Sequence, residues 1–313
     1  YFRVYFGGVS TIILYNMCMA IMQALGDSIR PLFYLFVSSV INVILDLWFV
    51  AGLHWGVTGA AVATVIAQGL SAALCLVRMS RDTGEMTRLQ WRLLRWDKYM
   101  MGRIFRQGLP TGVQNAVISL GNVVIQSNIN SFGSYAMSGL GAYSKIEGFA
   151  FLSVTAMSMT LPTFVSQNLG AGNISRAKKG AVFGCLTGMA AAELTGIVMF
   201  VFIPQLLALF IDTPEAIAYG TLHARIDTLF YCMLALAHCS AGVLRGCGKS
   251  TVPMVIMLGC WCVLRSVYVT LILKVIHQFR MICWAYPLTW TVSCVFFVFY
   301  LSRLDWNKSA AVI

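Results

Sequence analysis

The sequence predicts an all-α integral membrane protein, a polytopic helical bundle, and three observations carry that prediction. Of its 313 residues, 59% are hydrophobic and 11% charged, whereas a soluble domain carries about 25% charged residues. Apolar stretches of the roughly 20 residues needed to cross a bilayer recur along the whole chain. The 22 Lys and Arg sort mainly onto one side of those stretches, as cytoplasmic loops require. The net charge of +11 is then a product of this sorting and calls for no nucleic-acid partner.

In order, the spans are 4–25, 32–51, 57–77, 106–130, 138–162, 180–203, 225–244, 254–273 and 282–301. The first ends before Gly26 and the second starts after Pro31, a glycine stop followed by a proline start. The third ends at the basic interval Arg78 to Arg106, which contains Trp91, Leu93, Leu94 and Trp96 and reads as an amphipathic stretch on the cytoplasmic lipid surface. Pro110, Pro162, Pro204 and Pro287 mark starts, ends or bends of the later helices. Gly180, Gly184, Gly188, Ala192 and Gly196 form a ladder of small residues that lets a neighbouring backbone approach the sixth span. All ten cysteines lie in apolar stretches without a paired metal or redox motif and read as core filler.

Alternation puts Arg30, the basic interval, Arg176 to Lys179, Arg245, Lys249, Arg303 and Lys308 in the cytoplasm and Tyr1 outside. Neither a signal peptide nor an initiator Met precedes Tyr1. The expectation is an odd number of further spans upstream.

At an offset of 222 residues, Arg3 matches Arg225, Leu14 matches Leu236, Gly26 matches Gly248, Ser28 matches Ser250 and Pro31 matches Pro253. These identities fall at equivalent topological positions, so the chain reads as two copies of one unit with the first incomplete by about three spans. Two parallel six-span repeats would be related by an axis along the membrane normal and suit alternating access.

The turn G-D-S-I-R-P, the segment G-V-T-G-A-A-V-A-T-V-I-A-Q at 56–68, G-L-P-T-G at 108–112, Y-S-K-I-E at 143–147 and above all S-Q-N-L-G-A-G-N at 166–173 resemble the multidrug and toxic compound extrusion (MATE) transporters. The likeness runs over essentially the whole chain, from the family's fourth helix to its twelfth. It implies a V-shaped pair of six-helix lobes related by a pseudo-two-fold, with the first lobe lacking about three helices here. The expected organisation is a partial N-terminal lobe at 1–79, a cytoplasmic amphipathic linker at 80–103, a C-terminal lobe at 104–303 and a cytoplasmic tail at 304–313. The resemblance also implies export of drugs or metabolites in exchange for H⁺ or Na⁺, from a multi-pass position in a bacterial-type plasma membrane.

Ionisable residues within spans are functional candidates by default, and five lie well inside: Asp46, Lys145, Glu147, Glu193 and Arg265. The last four are two acids and two bases, able to neutralise one another. Asp46 has no cation at comparable depth, and a carboxyl held out of water must take a proton or bind a cation. It lies about 22 Å from the cytoplasmic end of its helix at ~1.5 Å per residue. Asn42 precedes it by one turn, and Thr64 on the next helix offers a hydroxyl, so the three read as a proton or Na⁺ site. The resemblance agrees, since N-x-x-x-D followed by a Thr matches the amino-terminal cation site of DinF-like members. A role for Asp46 in holding the bundle together through a basic partner remains the alternative.

Gln114, Asn115, Lys145, Glu147 and Glu193 are candidates for a polar substrate patch, with an ion pair of Glu147 to Arg265 or Lys145 as the structural alternative. Where the family's tenth helix carries an acid in some branches, this chain has Leu234. His238 reads as packing. His223 and Asp227, one turn apart, fall at the outer interface with no nucleophile or metal-ligand set beside them, so neither an enzyme nor a resident cofactor is expected. The partners expected are a small-molecule substrate and the lipid bilayer, with the chain a monomer. Rival readings are a lipid-linked oligosaccharide flippase of the same superfamily, which the scarcity of cavity cations disfavours, and a non-transporting membrane assembly subunit.

Overall fold

The computed structural model describes residues 2–82 and 88–310. Tyr1, residues 83–87 of the expected linker and residues 311–313 of the expected tail lie outside the described residues. The chain divides into two compact units, Tyr1–Trp96 and Asp97–Ile313. Among the described residues all regular structure is helical.

The first unit contains α1 (Phe2–Gly7), α2 (Val9–Ala24), α3 (Ile29–Asp46), a π-helical segment Leu47–Gly52 that continues α3, and α4 (Gly56–Ser80). Tyr15, Cys18 and Met22 of α2 share one face by helical spacing, as do Ala72, Cys75 and Met79 of α4, and the two faces form the unit's core. The Tyr15 hydroxyl donates to the Pro31 carbonyl at 3.2 Å, and a short hydrogen bond joins Ser71 to Ser38 across the α3–α4 hairpin. After α4 the backbone folds back on the helix end: Leu89 N–H donates to Met79 O at 2.9 Å and the Trp91 indole N–H to Ser80 Oγ at 3.1 Å. Among the described residues between α4 and Asp97 a single 3₁₀ turn, Trp91–Leu93, forms, and Trp91, Leu93, Leu94 and Trp96 are all exposed.

The second unit contains α5 (Lys98–Asn130), α6 (Ser134–Gly170), α7 (Ile174–Ala208), α8 (Pro214–Asp227), a 3₁₀ turn Thr228–Phe230, α9 (Tyr231–Gly246), α10 (Thr251–Met257), a π-helical segment Leu258–Leu264, α11 (Arg265–Val275), α12 (Phe279–Ser302) and α13 (Trp306–Ala310). Asp97 caps α5, its carboxylate accepting from Tyr99 N–H at 2.8 Å and Met100 N–H at 3.1 Å. That cap starts the helix earlier than the expected lobe boundary at 104. α6 packs on α7, α8 and α9 through glycines: a Cβ on Gly139 would strike the Ala216 carbonyl oxygen, and one on Gly242 would sit 2.7 Å from that of Ser158. Substituting anything larger would push whole helices apart.

All nine apolar stretches are helical, and among the described residues seven helices are long and apolar enough to cross a membrane. The other two differ for identifiable reasons. Gly8 breaks the first, leaving Val9–Ala24 as 16 residues. The fourth belongs to α5, which has the length but carries Gln107, Gln114, Asn115, Asn122, Gln126 and Asn128 among its apolar residues. Pro162 and Pro204, expected to mark starts, ends or bends of helices, sit inside α6 and α7, which run for 37 and 35 residues. At ~1.5 Å per residue both exceed the roughly 30 Å of hydrocarbon, so their ends project beyond it.

The repeat is carried by the backbone. Adding 222 to Val9–Ala24 gives Tyr231–Gly246, the bounds of α9, and adding it to the break at Gly8 gives Phe230, the end of the 3₁₀ turn. Leu25, Gly26 and Asp27 donate to Ile21, Gln23 and Met22 carbonyls, while Cys247, Gly248 and Lys249 donate to those of Val243, Arg245 and Leu244. The distances agree pair by pair at 3.0, 3.0 and 2.9 Å. Gly26 and Gly248 take positive φ of 90° and 75°, the left-handed helix stop that glycine alone adopts without strain. The motif at 166–173 builds the same stop at Gly172, with φ 73° and Asn173 N–H donating to Asn168 O at 2.8 Å.

Candidate functional site

Asp46 is the last residue of α3, at the junction with the π-helical segment. Such segments add a residue to the turn, disturb the hydrogen-bond ladder and recur at functional positions. Phe49 within it stacks between Trp48 and Trp55, with ring centroids 5.3 and 5.2 Å apart, and rests on Gly59, which seats the segment against α4. Asn42 and Asp46 are both half-buried one turn apart on α3. The Asn42 amide nitrogen and Asp46 Oδ1 are shielded from solvent and have no hydrogen-bond partner among the described residues. Thr64, half-buried on α4, donates its hydroxyl hydrogen to Ala60 O at 2.9 Å, which leaves its oxygen lone pairs uncommitted. Asn42 and Asp46 thus stand one turn apart on α3, and Thr64 stands on α4, the helix that packs against α3.

The five residues expected as one polar patch in the second unit are not brought together. Gln114 is buried, its amide NH₂ directed to Met257 Sδ at 2.7 Å and its carbonyl accepting from Arg245 Nη2 at 3.3 Å. Asn115, the next residue, is exposed. Lys145 is exposed with its ammonium 5.5 Å from the Phe210 ring centroid. Glu193 reaches from α7 to accept the Cys232 N–H at 2.9 Å. It thereby caps α9, whose first N–H groups the 3₁₀ turn leaves without intrahelical partners.

Glu147 belongs to a different group, with His223 and Asp227, which the packing of the second unit seals at 3% and 0% exposure with Nε2 and Oδ2 3.1 Å apart. Glu147 is in electrostatic reach of both and of Arg265. Arg265, 3% exposed, makes no carboxylate contact among the described residues. It donates through Nε and Nη2 to Thr289 Oγ1 at 3.1 and 2.8 Å and stacks 4.4 Å from the Tyr286 centroid. The ion pair of Glu147 with Arg265 or Lys145 is therefore replaced by a wider cluster. His238 lies edge-on to Trp261 and Phe151, at 5.2 and 5.8 Å, a packing position.

The repeat does not carry the Asn42, Asp46 and Thr64 set into the second unit. Their counterparts at the 222 offset are Leu264, Tyr268 and Tyr286, so the two units share a skeleton and differ in chemistry.

Comparison with known proteins places this architecture. The MatE family model matches residues 110–271. The chain is 27% identical over 271 residues to the probable multidrug resistance protein YpnP of Bacillus subtilis, covering 87% of this chain and 60% of that protein. It is 25% identical over 260 residues to the probable multidrug resistance protein NorM of Thermotoga maritima, covering 82% of this chain and 56% of that one. It thus spans less than two thirds of the length of these relatives. The crystal structure of a MATE transporter from Vibrio cholerae superposes with a TM-score of 0.88 at 21% identity, over 98% of this chain and 70% of that one. The chain belongs to the MatE family, and it is a multi-pass α-helical protein of the plasma membrane with the MATE fold.

Proposed function

We propose that the chain acts in a secondary antiporter that exports amphipathic, often cationic, drugs or metabolites in exchange for H⁺ or Na⁺ by alternating access, with Asp46, Asn42 and Thr64 as the ion-coupling site. Family membership and the multidrug-resistance relatives support the transport class over an enzymatic one. The observation that carries the coupling role is the shielded Asp46 Oδ1, which has no hydrogen-bond partner among the described residues. A carboxylate oxygen held from water without a donor is costly, and the cost is removed when it takes a proton or a cation. Occupancy changes the charge at the junction of α3 with its π-helical segment, the part of the helix whose hydrogen-bond ladder is already disturbed. Repacking there lowers affinity for the cargo and releases it outward. The partners in this reading are the small-molecule cargo, the ion and the bilayer, and the working unit is a monomer.

The test is ion-driven efflux of ethidium from cells expressing the protein. Asp46→Asn keeps the shape and removes the charge, and it should lower the initial efflux rate at least about tenfold at equal membrane abundance, as expected for a site made of one essential charge. Undiminished efflux by this variant would remove Asp46 from the mechanism.

A further inference from the structure

The sorting of basic residues leaves exceptions that orientation alone does not explain. Only four of the 22 Lys and Arg, namely Arg3, Arg225, Lys274 and Arg280, fall at the face predicted to be outer, against the bias that governs the rest. Two of the four converge. Arg225 of α8 and Arg280 of α12 line one groove of about 590 Å³, together with Thr221 and with Pro204 of α7.

Neither guanidinium is neutralised. Among the described residues no carboxylate lies within ion-pair distance of Arg225 or Arg280, and both residues are exposed. Arg225 is held instead over the Phe200 ring, 5.6 Å from its centroid, a stack that orients the planar fork and leaves its in-plane N–H groups free for an anion. The Thr221 hydroxyl, one turn before Arg225 on α8, is shielded from solvent and has no hydrogen-bond partner among the described residues. The groove therefore also holds an unused neutral donor.

Depth selects the ligand. Pro204 follows the span 180–203, Arg225 opens 225–244 and Arg280 precedes 282–301, so all three stand at one edge of the hydrocarbon, where lipid phosphates begin. One turn further into the bilayer from each of them come Val201, Leu229 and Trp284, all exposed, a surface for acyl chains below the arginines. A phosphate accepts paired N–H groups from a guanidinium. The ammonium of a zwitterionic headgroup would face two uncompensated cations. We propose that the groove between α7, α8 and α12 binds one anionic phospholipid of the leaflet predicted to be outer, with its phosphate between Arg225 and Arg280 and its headgroup against Thr221. The site is peculiar to the second unit, because the repeat counterpart of Arg225 is Arg3 but that of Arg280 is Thr58.

Native mass spectrometry of the whole chain in detergent, titrated with phosphatidylglycerol, phosphatidylcholine or inorganic phosphate, tests this. The first phosphatidylglycerol should bind more tightly than phosphatidylcholine. Arg225→Gln with Arg280→Gln should weaken it at least about tenfold, as expected on losing charge-assisted hydrogen bonds. Both arginines are exposed and outside any ion pair, so the variant should unfold at the parent's temperature when lipid is absent. Arg303→Gln with Lys308→Gln removes the same charge at the opposite face and should leave the affinity as it was. Equal binding of both lipids, undiminished phosphatidylglycerol binding in the Arg225 and Arg280 variant, or an equal loss in the Arg303 and Lys308 variant would overturn the proposal. Displacement of the lipid by inorganic phosphate would do so too, by making the ligand a soluble anion. The readout is binding and involves no ion-driven transport, so its outcome is separable from that of the Asp46 reading.

Discussion

Glu193 shows how a charged side chain in a span can serve the backbone instead of a cargo. Its carboxylate accepts the Cys232 N–H at 2.9 Å, at a helix start where partial positive charge collects. Glu193→Ala should lower stability by roughly 1–3 kcal/mol, the range for a charge-assisted bond to a buried donor, and Glu193→Gln by less. Thermal unfolding in detergent measures this, and a Glu193→Ala variant as stable as its parent would exclude the capping role. At the same scale, Thr64→Val should weaken ion coupling less than Asp46→Asn, since it removes a neutral oxygen and not the charge. Concentration dependence of efflux on the driving ion reads the difference. Asp46 could be singled out from the sequence because depth along one helix and the absence of a matching cation are one-dimensional facts, and its coupling role is a proposal. The sealing of His223 and Asp227 could not be read in this way, because their burial comes from the packing of α8 against Gly139 of α6 and Leu207 of α7, which no count along the chain contains. The expected patch of Gln114, Asn115, Lys145, Glu147 and Glu193 fails for the same reason: Gln114 turns to Met257 and Arg245, Glu193 to the Cys232 N–H and Lys145 to the Phe210 ring, while Asn115 is exposed.

Between elements, close approach is set by glycines whose importance spacing alone does not rank. A Cβ on Gly139 would strike the Ala216 carbonyl oxygen and sit 2.9 Å from Gly220 N, whereas one on Gly141, two residues on, would meet nothing within 4 Å. Gly139→Ala should therefore destabilise the α6–α8 contact by about 1–3 kcal/mol, as overpacking does. Gly141→Ala should be neutral or stabilising, since Ala is the better helix former. Comparing the two unfolding temperatures checks the packing directly, and equal loss in both would refute it. Helix identity was readable from apolar run length, and helix ends less so. Pro162 and Pro204 are poor guides because a proline within a long span can be accommodated by neighbouring helices.

For the molecule as a whole, the sorting of basic residues predicts an orientation before any contact is known. Lys178→Cys should react with a membrane-impermeant maleimide only in inverted vesicles, and Leu209→Cys only in right-side-out ones. The reverse pattern would invert the topology. The 222-residue repeat was visible in five identities, and what the structure adds is that bounds, breaks and stops coincide while the ionisable residues do not. The helix stops at Gly26 and Gly248 therefore behave as interchangeable joints. Grafting the seven residues 244–250 in place of 22–28 keeps every backbone bond of the stop, so duplication could fix the scaffold once and leave each half free to specialise.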